Sequence, residues 1–153
     1  MTAINHALTG TLIGLVVGEP LIAIPAAVAS HFICDAIPHW TPATPPDKRL
    51  RSKTFRNYLI TEAFLCFMVV LALAVIQPEN WLLAAVCAFA AAAPDFMWIP
   101  RYVKTLKGQK WRSNRFTQWA LDIQWFTKPI GAWVEAAWAV GCIILILPFL
   151  RAA

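Results

Sequence analysis

Residues 29–40, ASHFICDAIPHW, set His31, Asp35 and His39 four residues apart. On a helix turning about 100° per residue they fall within an arc of roughly 80° and form one polar stripe. Imidazole and carboxylate groups converging on one face are the usual ligands of a divalent cation, and mixed nitrogen and oxygen sets suit Zn2+, Mn2+ or Fe2+. Pro38 loosens the last turn, which leaves His39 either on the stripe or at its mouth.

The remaining ionisable residues of the apolar segments also sit beside small ones. His6 recurs with Gly10, Gly14 and Gly18 at every fourth position, a double GxxxG seam. Asp95 stands on the face of Ala84, Ala88 and Ala91, and Glu135 lies between Gly131 and Ala139. Small faces are where backbones approach, so these polar groups are expected to point into a helix bundle. An ionised side chain inside a bilayer costs on the order of 3 kcal/mol or more, so several together need compensation. A divalent cation, with Zn2+ or Mn2+ expected first, supplies it. A hydrogen-bonded cluster that fixes helix register and a proton or ion pathway are the other two solutions.

The elements that carry these residues follow from composition. The chain has 153 residues, 59% hydrophobic and 14% charged, which is a membrane composition and excludes an ordinary soluble domain. Five apolar segments approach or reach the length needed to cross about 30 Å of hydrocarbon, near residues 3–18, 20–38, 54–77, 80–100 and 130–150. Lys and Arg concentrate in PDKRLRSKTFR and RYVKTLKGQKWRSNR, whereas GEP and QPEN carry none. Basic loops stay inside, so the expected orientation has the N-terminus cytoplasmic and the C-terminus external, in a prokaryotic inner membrane. In that orientation His6, His31, Asp35, His39, Asp95 and Glu135 all fall near the cytoplasmic ends of their helices, with Glu62 about two turns deeper. No basic residue precedes the first apolar run, so that run is expected to be a retained helix and not a signal peptide.

The net charge of +5 sits almost wholly in the two basic loops and suits anionic lipid headgroups. No nucleic-acid module accompanies it, and none is expected as a partner. Cys34, Cys66, Cys87 and Cys142 match no metal or redox spacing and are expected to be buried small residues. Trp40, Trp98 and Trp111 mark the cytoplasmic boundary and Trp81 the opposite one. The proline-rich PHWTPATPPDK is expected to fold over the cytoplasmic mouth, and KWRSNRFTQWALDIQWFTK to form an amphipathic helix in the interface plane. The fold class is therefore an all-α polytopic bundle, one domain over 1–153, with about five transmembrane helices and one interfacial helix.

An early His on the first helix, SHFICDAIPHW on the second, and the PD pair of AAAAPDFMW resemble the small membrane-bound metal-dependent hydrolases of the YdjM-like group. The resemblance spans roughly the first 100 residues and implies that His6, His31, Asp35 and Asp95 belong to a metal site, together with His39. That group often carries a His soon after its PD pair, and PDFMWIP has none. The HxxxD spacing also occurs in PAP2-type lipid phosphatases, but their Lys and Arg motif and their PSGH motif are absent, which excludes them. The expected function is a metal-dependent hydrolase at the cytoplasmic leaflet acting on a lipid or lipid-linked phosphoester. Glu135 or Glu62, if not a ligand, would be the general base. The alternative is a non-enzymatic scaffold or transporter subunit whose polar cluster locks helix register or holds an ion.

Overall fold

A computed structural model describes residues 1–40, 46–125, 128 and 130–151. Every element among them is helical: α1 (Ala3–Val17), α2 (Pro20–Ala36), α3 (Pro46–Leu50), α4 (Lys53–Ile76), α5 (Trp81–Ala92), a 3-10 segment (Ala93–Trp98), α6 (Ile99–Leu106), α7 (Arg115–Asp122) and α8 (Gly131–Arg151).

The helix ends are written locally. Gly18 closes α1 in the left-handed region, at φ 68°, which its missing Cβ permits. Pro20 opens α2 where no amide donor is needed, and α2 stops at Ala36 because Ile37, preceding Pro38, is held extended at ψ 150°. The Ser52 hydroxyl accepts from the Phe55 amide at 3.0 Å and caps α4. Pro94 cannot donate to the α-helical ladder, and at that point α5 tightens into the 3-10 segment. The fourth apolar segment is thus not one regular helix over 80–100. It is a composite that runs as Trp81–Leu106.

Three helical stretches, Lys53–Ile76, Trp81–Leu106 and Gly131–Arg151, are long and apolar enough to cross a membrane, whereas α1 and α2 are shorter apolar helices. The chain therefore has the build of a membrane protein. Many of its large apolar side chains point outward, with Leu21, Val75 and Trp133 all more than two-thirds exposed. Such an inverted surface is stable where the surroundings are themselves apolar.

The centre of the bundle is α1, which packs on α2, α4, α5 and α8. Its sequence explains the position. A Cβ at Gly10 would lie 2.8 Å from the Ala91 Cβ, and one at Gly14 would lie 2.8 Å from the Ala84 amide nitrogen, so both glycines let α1 press onto α5. Gly18 does not extend that seam, because it is the helix cap beside Asn80. Behind α5, Ala23 and Ala27 of α2 pack on Cys87 and Ala91. The buried face of α5 is Ala84, Cys87, Ala88 and Ala91, the small face expected from the sequence.

Of the expected interfacial helix over residues 110–128, Arg115–Asp122 is the helical part among the described residues. It opens with a reciprocal capping box in which the Thr117 amide donates to Asn114 Oδ1 at 2.8 Å and the Asn114 amide donates to Thr117 Oγ1 at 2.9 Å. Residues 109–114 before it are irregular. The central part of PHWTPATPPDK, residues 41–45, lies outside the described residues, so its expected fold over the mouth has no counterpart among them.

Candidate metal centre

Three elements deliver the ligand-type side chains to one place. His6 comes from the first turns of α1, His31 from the last turns of α2, and Asp95 from the 3-10 segment that follows α5. Each offers one ligand atom, and these atoms all lie within 4.8 Å of one another. Both histidines are fully buried and Asp95 is half-buried. The imidazole rings stack with centroids 4.0 Å apart and planes 23° off parallel.

Asp35, one turn after His31, borders both rings. Its Oδ1 lies 3.3 Å from His6 Nε2 and its Oδ2 lies 3.4 Å from His31 Nε2. His31 Nε2 is 3.9 Å from Asp95 Oδ1. Four of the five metal candidates singled out from the sequence, His6, His31, Asp35 and Asp95, are therefore neighbours in space, although they lie on three separate elements.

The hydrogen bonds favour a ligand role for the imidazoles. His31 Nδ1 lies 2.8 Å from the Ala91 carbonyl oxygen. A carbonyl only accepts, so Nδ1 carries the proton and Nε2 presents a bare lone pair toward Asp35 and Asp95. That Nε2 has no hydrogen-bond partner among the described residues, and neither ring nitrogen of His6 has one. Leaving a buried polar atom unpaired costs about 1–3 kcal/mol, and a coordinated cation removes the cost at each Nε2. The donor set of two neutral nitrogens with one or two carboxylates fits a divalent ion.

Two partners of Asp35 were invisible to residue spacing. The N-terminal ammonium of Met1 is ion-paired with Asp35 Oδ1. Gln124, 89 positions later in the chain, donates its Nε2 amide to Asp35 Oδ2 at 2.9 Å. Neither pairing leaves a periodic signature. The only hint is that Gln124 lies within the aromatic and basic stretch expected to rest in the interface plane.

The other sequence candidates take different places. His39 is buried at the mouth, beyond the end of α2 and outside the His6, His31 and Asp95 group. Its Nδ1 donates to the Ile37 carbonyl at 2.9 Å, and burial of the ring lowers its pKa from the usual imidazole range. The His39 backbone abuts Gly131 at the start of α8, where a Cβ would stand 2.5 Å from the His39 Cα. Glu62 accepts from the Ile4 amide at 3.0 Å and so ties α4 to the N-terminus of α1, where a carboxylate also complements the helix dipole. Glu135 is buried, and its Oε1 has no hydrogen-bond partner among the described residues. Its own carbonyl accepts from Asn5 Nδ2 at 3.2 Å, joining α8 to α1.

Behind the site the contacts are structural. Trp138 Nε1 donates to Thr9 Oγ1 at 2.9 Å, and that hydroxyl donates to the Asn5 carbonyl at 2.7 Å. Cys34 Sγ approaches the same hydroxyl at 4.0 Å, away from the ligand group. All four cysteines are free thiols. No protein-family model, curated protein or solved structure matches the chain.

Proposed function

We propose that the chain is a five-span protein of a prokaryotic inner membrane that uses a divalent metal at its cytoplasmic leaflet to hydrolyse a lipid or lipid-linked phosphoester. What carries this function is the convergence of His6, His31 and Asp95, with His31 Nδ1 committed to a backbone carbonyl so that Nε2 faces the other two. The motif resemblance to the YdjM-like group supports the same chemistry. Zn2+ or Mn2+ suits the donors. Such an ion supplies Lewis-acid polarisation and a nucleophile at neutral pH.

The protein's own residues divide the remaining work. His6, His31 and Asp95 hold the ion, and Asp35 joins them or orients the rings. Glu135 or Glu62 is the general base, and both carboxylates are held by backbone amides at the start of α1, Glu62 by that of Ile4 and Glu135 by that of Thr2. Five spans follow if α1 and α2 cross with their neighbours. At 1.5 Å per residue they measure roughly 22 and 26 Å, within reach of a locally thinned bilayer, and the outward face of α2 carries Leu21, Ile22 and Ile33.

A second function has one specific observation in its favour. Asp35 already holds the Met1 ammonium and stands against both imidazoles, an arrangement in which the polar groups compensate one another and lock helix register. Metal content separates the two. Elemental analysis of protein purified without added metal should find close to one transition-metal ion per chain, and that protein should release phosphate or alcohol from a lipid phosphoester. Absence of metal before and after Zn2+ or Mn2+ loading would leave the register lock standing.

A further inference from the structure

The aromatic residues of the segment that carries Gln124 are partly packed on the bundle and partly exposed. Inward, Phe32 of α2 receives it, with ring centroids 5.0 Å from Trp119 and 6.0 Å from Phe116. Outward it remains strongly apolar for a loop region: Phe116 is 52% exposed, Trp119 46% and Trp125 72%. The approach to it, Lys110, Arg112 and Arg115, is basic and exposed. Aromatic rings interleaved with fixed positive charge match an anionic headgroup layer, where rings sit at the acyl boundary and cations meet phosphates. At the end of this same segment Gln124 reaches Asp35 Oδ2.

We propose that the Arg115–Trp125 segment docks on the anionic headgroup layer of its own membrane and, through Gln124, holds Asp35 in the orientation the metal centre requires, so that metal affinity rises when the segment is docked. The inference rests on the metal-centre function above. Gln124 is a positioning residue: its amide donates to one carboxylate oxygen, which fixes the carboxylate plane and directs the other lone pairs toward the imidazoles. An undocked segment would leave the Gln124 amide free to turn to water, and Asp35 would lose that constraint. The coupling also explains why a glutamine rather than an apolar residue follows the amphipathic helix. Each basic residue near the headgroups strengthens attachment about fivefold, so the response should track lipid charge and weaken with salt.

The test measures Zn2+ affinity by chelator competition for the full chain in vesicles of phosphatidylcholine alone and in vesicles containing phosphatidylglycerol. The parent should bind more tightly in the anionic vesicles, with the gain shrinking at high ionic strength. Gln124→Leu should lower affinity about 10- to 100-fold and abolish the lipid response. The double variant Arg112→Gln with Arg115→Gln should match the parent in phosphatidylcholine and gain nothing from phosphatidylglycerol, and it carries the test should Gln124→Leu fail to insert. Equal parent affinity in both lipids, or a Gln124→Leu protein that keeps both affinity and lipid response, overturns the coupling while the metal centre stands. A parent that binds no Zn2+ in either vesicle overturns the metal centre itself.

Discussion

At the scale of single residues, the decisive feature is that a buried imidazole is presented with its lone pair unspent. His31 is the clearest case, since the Ala91 carbonyl fixes its tautomer and leaves Nε2 facing Asp35 and Asp95. His31→Ala should therefore abolish metal retention while the protein still inserts. Cys34→Ala should keep its metal, because Cys34 faces Thr9 and not the ligand group. Loss of one ligand from a small set removes most affinity, since the remaining groups no longer offset dehydration of the ion. Metal content of the two purified variants decides the matter, and retention by His31→Ala would remove this imidazole from the centre. The pH dependence has a definite sign. Coordination needs neutral imidazole and ionised carboxylate, so binding releases protons and affinity must fall as pH is lowered. Metal affinity measured by chelator competition should decline as the pH is lowered from about 8 to about 3, and an affinity that stays constant over that whole range would exclude imidazole and carboxylate ligation.

At the scale of elements, the site depends on how closely α1 approaches α5. Gly10 and Gly14 make that approach, and the α5 side answers with Ala84, Cys87 and Ala91. Gly10→Leu or Gly14→Leu should destabilise the bundle by about 1–3 kcal/mol or more, because the wall they meet is backbone and methyl groups with no flexible end to yield. Leu12→Val, off that seam, should cost less than about 1.5 kcal/mol. Unfolding in mixed micelles reads both, and metal content should fall with the glycine variants only. Ser52→Ala offers a separate check on α4: loss of its cap should cost about 1 kcal/mol with the metal centre intact. Much at this scale was legible in the sequence. The small-residue faces around His6 and Asp95 announced which sides of α1 and α5 meet, and proline and glycine marked most helix ends. Gly18 misled because a glycine four residues on from a seam also serves as a cap, and periodicity does not distinguish the two uses. Asp95 was placed on a regular helix, whereas Pro94 rewinds that turn as a 3-10 segment and swings the carboxylate toward His31. The Gln124 and Met1 contacts with Asp35 depend on loop paths, which no side-chain period encodes.

At the scale of the whole molecule, the basic residues and the ligand-type residues gather at the same end of the bundle. The basic residues crowd the α3 region and the stretch from α6 to α7, while the turns after α1 and α4 hold Glu19 and Glu79 with no Lys or Arg. The ligand-type residues His6, His31 and Asp95 stand at the helix ends that adjoin the basic side: the start of α1, the end of α2 and the close of α5. If Lys and Arg resist translocation, that whole end of the bundle is cytoplasmic, and the centre opens toward the cytoplasmic leaflet with the aromatic and basic Arg115–Trp125 segment beside it. A single cysteine placed at Lys107 in a cysteine-free background should be shielded from an impermeant thiol reagent in intact cells and should react after permeabilisation. A cysteine at Glu79 should react in intact cells. The cysteine-free background is itself reasonable, because the four native thiols are unpaired and none belongs to the ligand group. Labelling of position 107 from outside would invert the bundle, and since all three ligand-type residues lie toward the same end, it would move the entire centre to the external leaflet and with it the compartment from which any substrate must come.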